Sequence, residues 1–309
     1  LEGYSSQLMN ICVSYMKKNG YDVSFLTTRI SSHYAKVGWV VYPTFSMRLN
    51  LPDTLEDPND LQVEQGTLQD DLSGIIAIYD HFNSAQSGTV VRNPAYWYNQ
   101  IEYLVDEPAI FWRTCKNDVL VAYIASTDWN IVEIGFSQGK DEEMISLLRH
   151  FFVQAESEGV RKLDALAPLR LQRMFERVGC KVNRPESSKL MARIINLGSL
   201  LRKIIPLLGS RLSKSKFSKW KGSISIQYEA DIQNVGINDG VLSILTEPVT
   251  PDITLRLNQE QLIKLLFGDI GVEHIVLANN LGLQKTESNL LNVLFPRDQL
   301  FMWDFDCAF

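Results

Sequence analysis

The sequence predicts an α/β fold of mixed sheets, divided among more than one structural unit. Three observations carry this reading. Stretches with apolar residues at helical spacing alternate with short runs rich in Val, Ile, Phe and Tyr, the pattern of helices interleaved with half-buried strands. The segment ISSHYAKVGWVV, from Ile30, aligns with LQRMFERVGCKV, from Leu171, at a constant offset of 141 residues, so one helix-strand arrangement is written twice. The chain of 309 residues also exceeds the ~100 to 200 residues of a usual domain.

Taken in order, Leu8, Ile11, Cys12, Tyr15 and Met16 lie at helical spacing, and Lys17, Lys18 and Gly20 supply a dipole-compensated, glycine-ended stop. YDVSFLTT alternates as a strand, ISSHYAKVG reads as a short helix, and WVVYPTFSMRL as strand again. The acidic, proline-punctuated stretch from Asn50 to Asp71 reads as a linker. A helix around SGIIAIYDHF, the aromatic segment NPAYWYNQIEY and three strand-like runs, AIFWRT, VLVAYIAS and NIVEIGF, follow. DEEMISLLRHFFVQAESEG is a long amphipathic helix, KLDALA a strand and LRLQRMFERVG a helix. MARIINLGSLLRKIIPLLGSRL is apolar at helical spacing and reads as a packing helix, and SKSKFSKWKG as a solvated basic connector. Strands are expected at SISIQY and VLSIL, the latter after the turn signal Asn238-Asp239-Gly240. Asn258 and Gln261 form a capping arrangement for the next helix, and ESNLLNVLF is a further one, stopping at Pro296. Expected boundaries are 1–50, 51–215 and 216–309.

The two repeats differ where chemistry would care. Aligning Gly20 with Gly159 places Gly3-Tyr4-Ser5 opposite Glu142-Glu143-Met144. A small-residue turn opening a helix presents free backbone N–H groups and a positive dipole end, which suits a phosphate. Asp141 to Glu143 cap that dipole themselves and would repel one. Tyr34 faces Phe175, so only the first copy keeps a hydroxyl able to donate a proton. A helix-opening turn is also an ordinary cap and a tyrosine an ordinary packing residue. The second copy serves as an internal control on both.

A formal charge of −6 argues against a nucleic-acid binder and makes cationic partners electrostatically easier. No apolar run approaches the ~18 to 20 residues of a membrane span. The four cysteines are widely spaced, with no metal-like pairing to the four histidines, which reads as reduced, cytoplasmic usage without a metal site. The ending FMWDFDCAF holds four aromatics in nine residues and is expected to pack rather than to trail in solvent. Its Asp304 and Asp306 could attract a cation or be solvated charges. Cys307 reads as a small buried residue and His33 as a packing or surface residue.

The run LEGYSSQLM resembles the back half of the pyrophosphate-binding signature of GNAT acetyltransferases, Arg/Gln-x-x-Gly-x-Gly/Ala, entered one residue after its basic position. HYAKVGW and the strand after it resemble the second half of that fold. A first GNAT unit, a degenerate second one and a C-terminal domain similar to sterol carrier protein together resemble the Eis (enhanced intracellular survival) family along essentially the whole chain. The resemblance implies acetyl-CoA as co-substrate, held around Leu1, Gly3, Tyr4, Ser5 and Ser6, and a primary amine of a small cationic acceptor such as an aminoglycoside, a polyamine or a lysine. It further implies a homo-oligomer, typically a hexamer, with Tyr34 as general acid toward the departing thiolate and the terminal carboxylate of Phe309 as general base. The basic residue of the signature, and the strands before it, would precede Leu1, so the chain is expected to be N-terminally incomplete. A lipid-carrier-like binding protein and an inactive scaffold remain as alternatives.

Overall fold

A computed structural model of the chain describes residues 3–58, 61–84, 86–103, 109–187, 190–268, 271–298, 300–303 and 306. They fall into two compact units, Leu1–Pro43 with Ser188–Gln299, and Thr44–Ser187 with Leu300–Phe309. The chain opens in the first unit with α1 (Tyr4–Lys18), β1 (Val23–Thr27), α2 (Ser31–Ala35) and β2 (Val40–Val41). It crosses to the second for β3 (Thr44–Phe45), β4 (Met47–Asn50), β5 (Val63–Gly66), α3 (Leu72–Asn83), α4 (Pro94–Tyr103), β6 (Ile110–Lys116), β7 (Val119–Thr127) and β8 (Asn130–Phe136). There follow α5 (Asp141–Ser157), β9 (Lys162–Ala165), α6 (Gln172–Arg177), β10 (Lys181–Asn183) and β11 (Glu186–Ser187). The chain then returns to the first unit for β12 (Leu190–Ile194), α7 (Leu197–Ser213), β13 (Gly222–Tyr228), β14 (Asp231–Asn238), β15 (Val241–Leu245), β16 (Ile253–Arg256), α8 (Gln259–Leu266), α9 (Val272–Asn279) and α10 (Lys285–Leu294).

The repeat is structural as well as sequential. Helix, strand, helix, strand occurs as α1-β1-α2-β2 and again as α5-β9-α6-β10. Both long helices end on a glycine of positive φ, Gly20 at +77° and Gly159 at +81°, and both short helices on another, Gly38 at +91° and Gly179 at +94°. A left-handed residue after a helix lets its amide satisfy a carbonyl of the last turn, and glycine adopts that conformation without steric cost. Gly38 N donates to Ala35 O at 3.1 Å, and Gly179 N to Glu176 O at 2.9 Å.

The sheets interleave along the chain. β4, which follows β2, pairs antiparallel with both β9 and β10, and β12, which follows β10, pairs antiparallel with both β1 and β2. Each copy thus receives its middle strand from the segment trailing the other. The observed units therefore differ from the contiguous expected boundaries, with β12 and α7 joining the first unit and the last residues the second.

In the second unit the strand order is β10-β4-β9-β8-β7-β6-β5. Against this sheet α5 buries Met144, Leu147, Leu148, Phe151, Phe152 and Ala155, at the i, i+3, i+4 spacing of its apolar face. Each such phenylalanine contributes about 1.5–3 kcal/mol by leaving water. The first unit holds the sheet β1-β12-β2 and a second one, β15-β14-β13-β16, against which α7 packs. The hairpin at Asn238-Asp239-Gly240 forms as expected, with φ of 47° at Asp239 and 81° at Gly240, and Asn258 and Gln261 make the reciprocal capping box.

Three expectations are corrected. The packing face of α1 is Met9, Val13 and Met16, set against Trp39 and Met191, while Leu8, Ile11 and Tyr15 are exposed. The helix carries two apolar stripes, and the neighbouring sheet selects one. MARIINLGSLL begins as strand β12, and its helix starts only at Leu197, where the Asn196 side chain accepts from Ser199 N at 3.1 Å. The acidic stretch after Asn50 is not all linker: Leu51 and Leu68 are buried, and β5 pairs with β6. Among the described residues no helix is long and apolar enough to cross a membrane, and no cluster of metal-ligating side chains occurs.

Candidate functional site

In the first unit Gly3 caps α1, whose first turn has neither an acid nor a side-chain cap. The opening amides of a helix lack intrahelical partners and carry the positive end of its dipole. Among the described residues, a Cβ added at Gly3 would meet only Gln7 Nε2, at 3.7 Å, which leaves the backbone there open to close approach on that side. Tyr4 and Ser5 are exposed and Ser6 half-buried. Ser5 Oγ is hydrogen-bonded to His33 Nε2 at 2.7 Å, and the His33 ring meets Tyr34 edge-on with centroids 5.2 Å apart. The half-buried Tyr34 in turn packs against the buried Trp39 at 6.4 Å. The fold therefore brings the helix-opening turn and Tyr34 to one place, linked through His33. Sequence reading left His33 as a packing or surface residue, because 28 positions separate it from Ser5 and only the fold closes that distance.

The second copy places different chemistry on the same backbone. Asp141, Glu142 and Glu143 fill the first turn of α5. Lys140 Nζ lies 2.9 Å from Glu143 Oε1, and this hydrogen bond, with a lesser one from Lys116, holds the Glu143 carboxyl below its usual range. Phe175, at the position of Tyr34, is fully buried. This turn is closed to an anion by its own carboxylates.

The C-terminal segment belongs to the second unit. Phe301 and Trp303 are buried in its main core, Phe301 N donates to Ser87 O at 2.8 Å, and Trp303 Nε1 donates to Asn83 Oδ1 at 2.9 Å. Gly88, at φ +92°, admits this segment, since a Cβ there would lie 2.5 Å from Leu300 Cγ and 2.9 Å from Phe301 O. Leu1, Asp304 and Phe309 lie outside the described residues. Asp306 is described and is wholly buried. Arg92 Nε donates to its Oδ1 at 2.8 Å, Arg92 Nη2 to Oδ2 at 2.9 Å, and Tyr96 OH to Oδ1 at 2.8 Å. The other edge of the Arg92 guanidinium pairs with Glu133, which also accepts from Tyr123 OH at 2.6 Å. Burial pushes the Glu133 carboxyl above its usual range against the pull of Arg92. Burial alone would lower Arg92, but the Glu133 charge and the Asp306 hydrogen bonds leave it raised. Attracting a soluble cation requires an exposed, unpaired carboxylate. Asp306 is neither, because its charge is spent on Arg92.

Sequence reading missed Arg92 and Glu133. The signal was available in NIVEIGF, where Glu133 shares the inward face of β8 with Ile131. A charge on such a face requires a buried partner.

No family model matches the sequence, and no curated protein matches it. Solved structures do. A GCN5-related N-acetyltransferase from Anabaena variabilis shares 14% identity at a TM-score of 0.68, covering 97% of this chain and 77% of that one. A GCN5-related N-acetyltransferase from Kribbella flavida shares 14% at 0.65, covering 97% and 74%. Eis1 from Mycobacterium abscessus shares 12% at 0.60, covering 98% and 78%. At such identities the likeness establishes the fold, which is that of the GNAT N-acetyltransferases.

Proposed function

We propose that this chain is an acetyl-CoA-dependent N-acetyltransferase of Eis-like organisation, with a degenerate second GNAT unit and a sterol carrier protein-like C-terminal part. The observation that carries the reading is the contrast between two copies of one backbone unit. Only the first keeps an open, acid-free helix start beside a tyrosine.

In this reading the amides opening α1, at Gly3 to Ser6, hold the pyrophosphate of acetyl-CoA. The acceptor amine nitrogen attacks the thioester carbonyl carbon, the N–C bond forms and the C–S bond breaks. Tyr34 gives its proton to the departing sulfur, and the Phe309 carboxylate takes the proton released by the amine. Packing of the terminal segment among aromatic side chains would raise that carboxylate above its ordinary weak basicity. Asp304 is the remaining acidic side chain near the terminus that could draw in a cationic amine. The assembly is a homo-oligomer, a hexamer by likeness to the family, which light scattering would measure.

The test is thiol release from acetyl-CoA by the full-length protein with an aminoglycoside, a polyamine and a lysine peptide as acceptors. Tyr34→Phe should lower kcat by about 10²–10⁴-fold with acetyl-CoA affinity unchanged. Appending residues after Phe309 should abolish turnover without unfolding. A full-length protein that binds no acetyl-CoA would instead indicate a scaffold or a lipid carrier.

A further inference from the structure

We propose that the cavity beside the start of α5, in the second unit, binds a small monocarboxylate with an apolar body, its charge met by Arg170. The cavity lies wholly within the second unit and takes no part in the acetyl transfer proposed for the first.

The cavity has a volume of about 480 Å³, within the ~300–1,000 Å³ range of small-molecule sites. Its place follows from the repeat. Phe136 ends β8 and Asp141 opens α5, the helix that corresponds to α1, so the cavity lies where the first copy has its open turn at Gly3. At the offset of 141 residues, Leu171 takes the position of Ile30 and Met174 that of His33. The second copy therefore lines this place with hydrocarbon and thioether, where the first has the polar link from Ser5 to His33. Phe82 of α3 and Phe136 complete the apolar wall, with ring centroids 4.9 Å apart. Phe82, Leu171 and Met174 are buried and Phe136 is half-buried. Such a wall suits an aromatic or alkyl body.

One charge on this wall is unanswered. Arg170 Nη2 donates to the Phe82 carbonyl at 2.7 Å, and its guanidinium carbon lies 4.0 Å from the centroid of the Phe82 ring. These two contacts hold the head of Arg170 in place and leave most of its N–H donors for another acceptor. Burial lowers this guanidinium, and among the described residues no carboxylate offsets the effect. A planar carboxylate can accept two parallel bonds from such a head, which makes it the best-fitting anion. Asp141 also lines the cavity, but it stands in the first turn of α5, where the helix amides and dipole already offset its charge. With Glu142 and Glu143 in the same turn, a ligand of one negative charge is favoured over a phosphate chain.

The experiment titrates the full-length protein with 3-phenylpropanoate and with two analogues of different charge, 3-phenylpropylamine and 3-phenylpropanol. Calorimetry gives each Kd, and methyl NMR of methionine-labelled protein gives the place of binding, with the Met174 signal assigned through Met174→Leu. The carboxylate should bind with a Kd of about 1 mM or below and shift the Met174 methyl, while Met191, buried in the first unit, stays fixed. The amine and the alcohol should bind at least about ten-fold more weakly. Arg170→Gln should weaken the carboxylate by about ten-fold and leave the alcohol within about two-fold of wild type. Absence of heat and of a Met174 shift at about 10 mM carboxylate would overturn the site, as would a shift of Met191 without one of Met174. An amine or alcohol bound as tightly as the carboxylate would overturn the role of Arg170, as would a folded Arg170→Gln variant of unchanged carboxylate affinity. If that variant does not fold, the three ligands on wild type decide.

Discussion

Replacing Arg92 with Met tests the electrostatics of the second unit most directly. The guanidinium is fully buried and is paired with two carboxylates that are also buried. Met fills much of the side-chain volume but leaves Glu133 and Asp306 without a counter-charge. Stranding a buried charge in this way costs about 3–5 kcal/mol. Loss of the stacking over Tyr79 and Trp97 adds to the cost, about 0.5–2 kcal/mol for each contact. With a urea dependence of about 2 kcal/mol/M, the midpoint should fall by roughly 2 M. Tryptophan emission is a suitable probe, since four of the six tryptophans, Trp97, Trp112, Trp129 and Trp303, lie in this unit. Adding Glu133→Gln and Asp306→Asn removes both stranded charges while keeping acceptors for Tyr123 and Tyr96, and should restore at least about 2 kcal/mol. A loss below about 1 kcal/mol for Arg92→Met, or no recovery in the triple variant, would refute the reasoning.

On the proposed function, Ser5→Glu places a carboxylate in the acid-free first turn of α1 and should weaken acetyl-CoA binding by about ten-fold or more through repulsion at the helix start, with helix content unchanged by circular dichroism. Gly135→Ala should destabilise the second unit by about 1–3 kcal/mol in the same urea titration, because the new Cβ would lie 2.5 Å from Tyr123 Cε1 and 2.9 Å from Ile78 Cγ2. Cys180 is buried and its thiol is pushed up to about 12 by burial, whereas Cys12 is exposed. Peptide mapping after iodoacetamide at neutral pH should find Cys12 alkylated and Cys180 untouched until denaturant is added.

Much of the local structure was legible because local rules govern it. Gly20, Gly38, Gly159 and Gly179 announced four helix-strand pairs, two in each copy, and all four adopt the left-handed backbone that makes glycine necessary there. The Asn238-Asp239-Gly240 turn and the Asn258 cap depend only on neighbours in sequence. Long-range features were not legible. Leu190–Ile194 has the apolar content of either a helix or a strand, and its strand identity comes from partners in β1 and β2 more than 140 residues away. The choice between two apolar stripes on α1 was likewise made by Trp39 and Met191. Of the candidate site, the difference between the copies at Gly3 and at Tyr34 was visible in an alignment of the chain with itself. The Arg92–Glu133–Asp306 cluster was not, because its members are spread over 214 positions and share no motif.

The reciprocal placement of β4 and β12 has the form of a strand-swapped dimer whose two chains have been joined into one. In such an arrangement neither copy folds without the other, so the second cannot be deleted even if it performs no chemistry. On the proposed function, the second copy serves as a scaffold whose trailing strand completes the sheet of the first. Its helix start and its Phe175 position are then released from any duty toward a ligand, and are free to accept the acids and the buried ring that they carry.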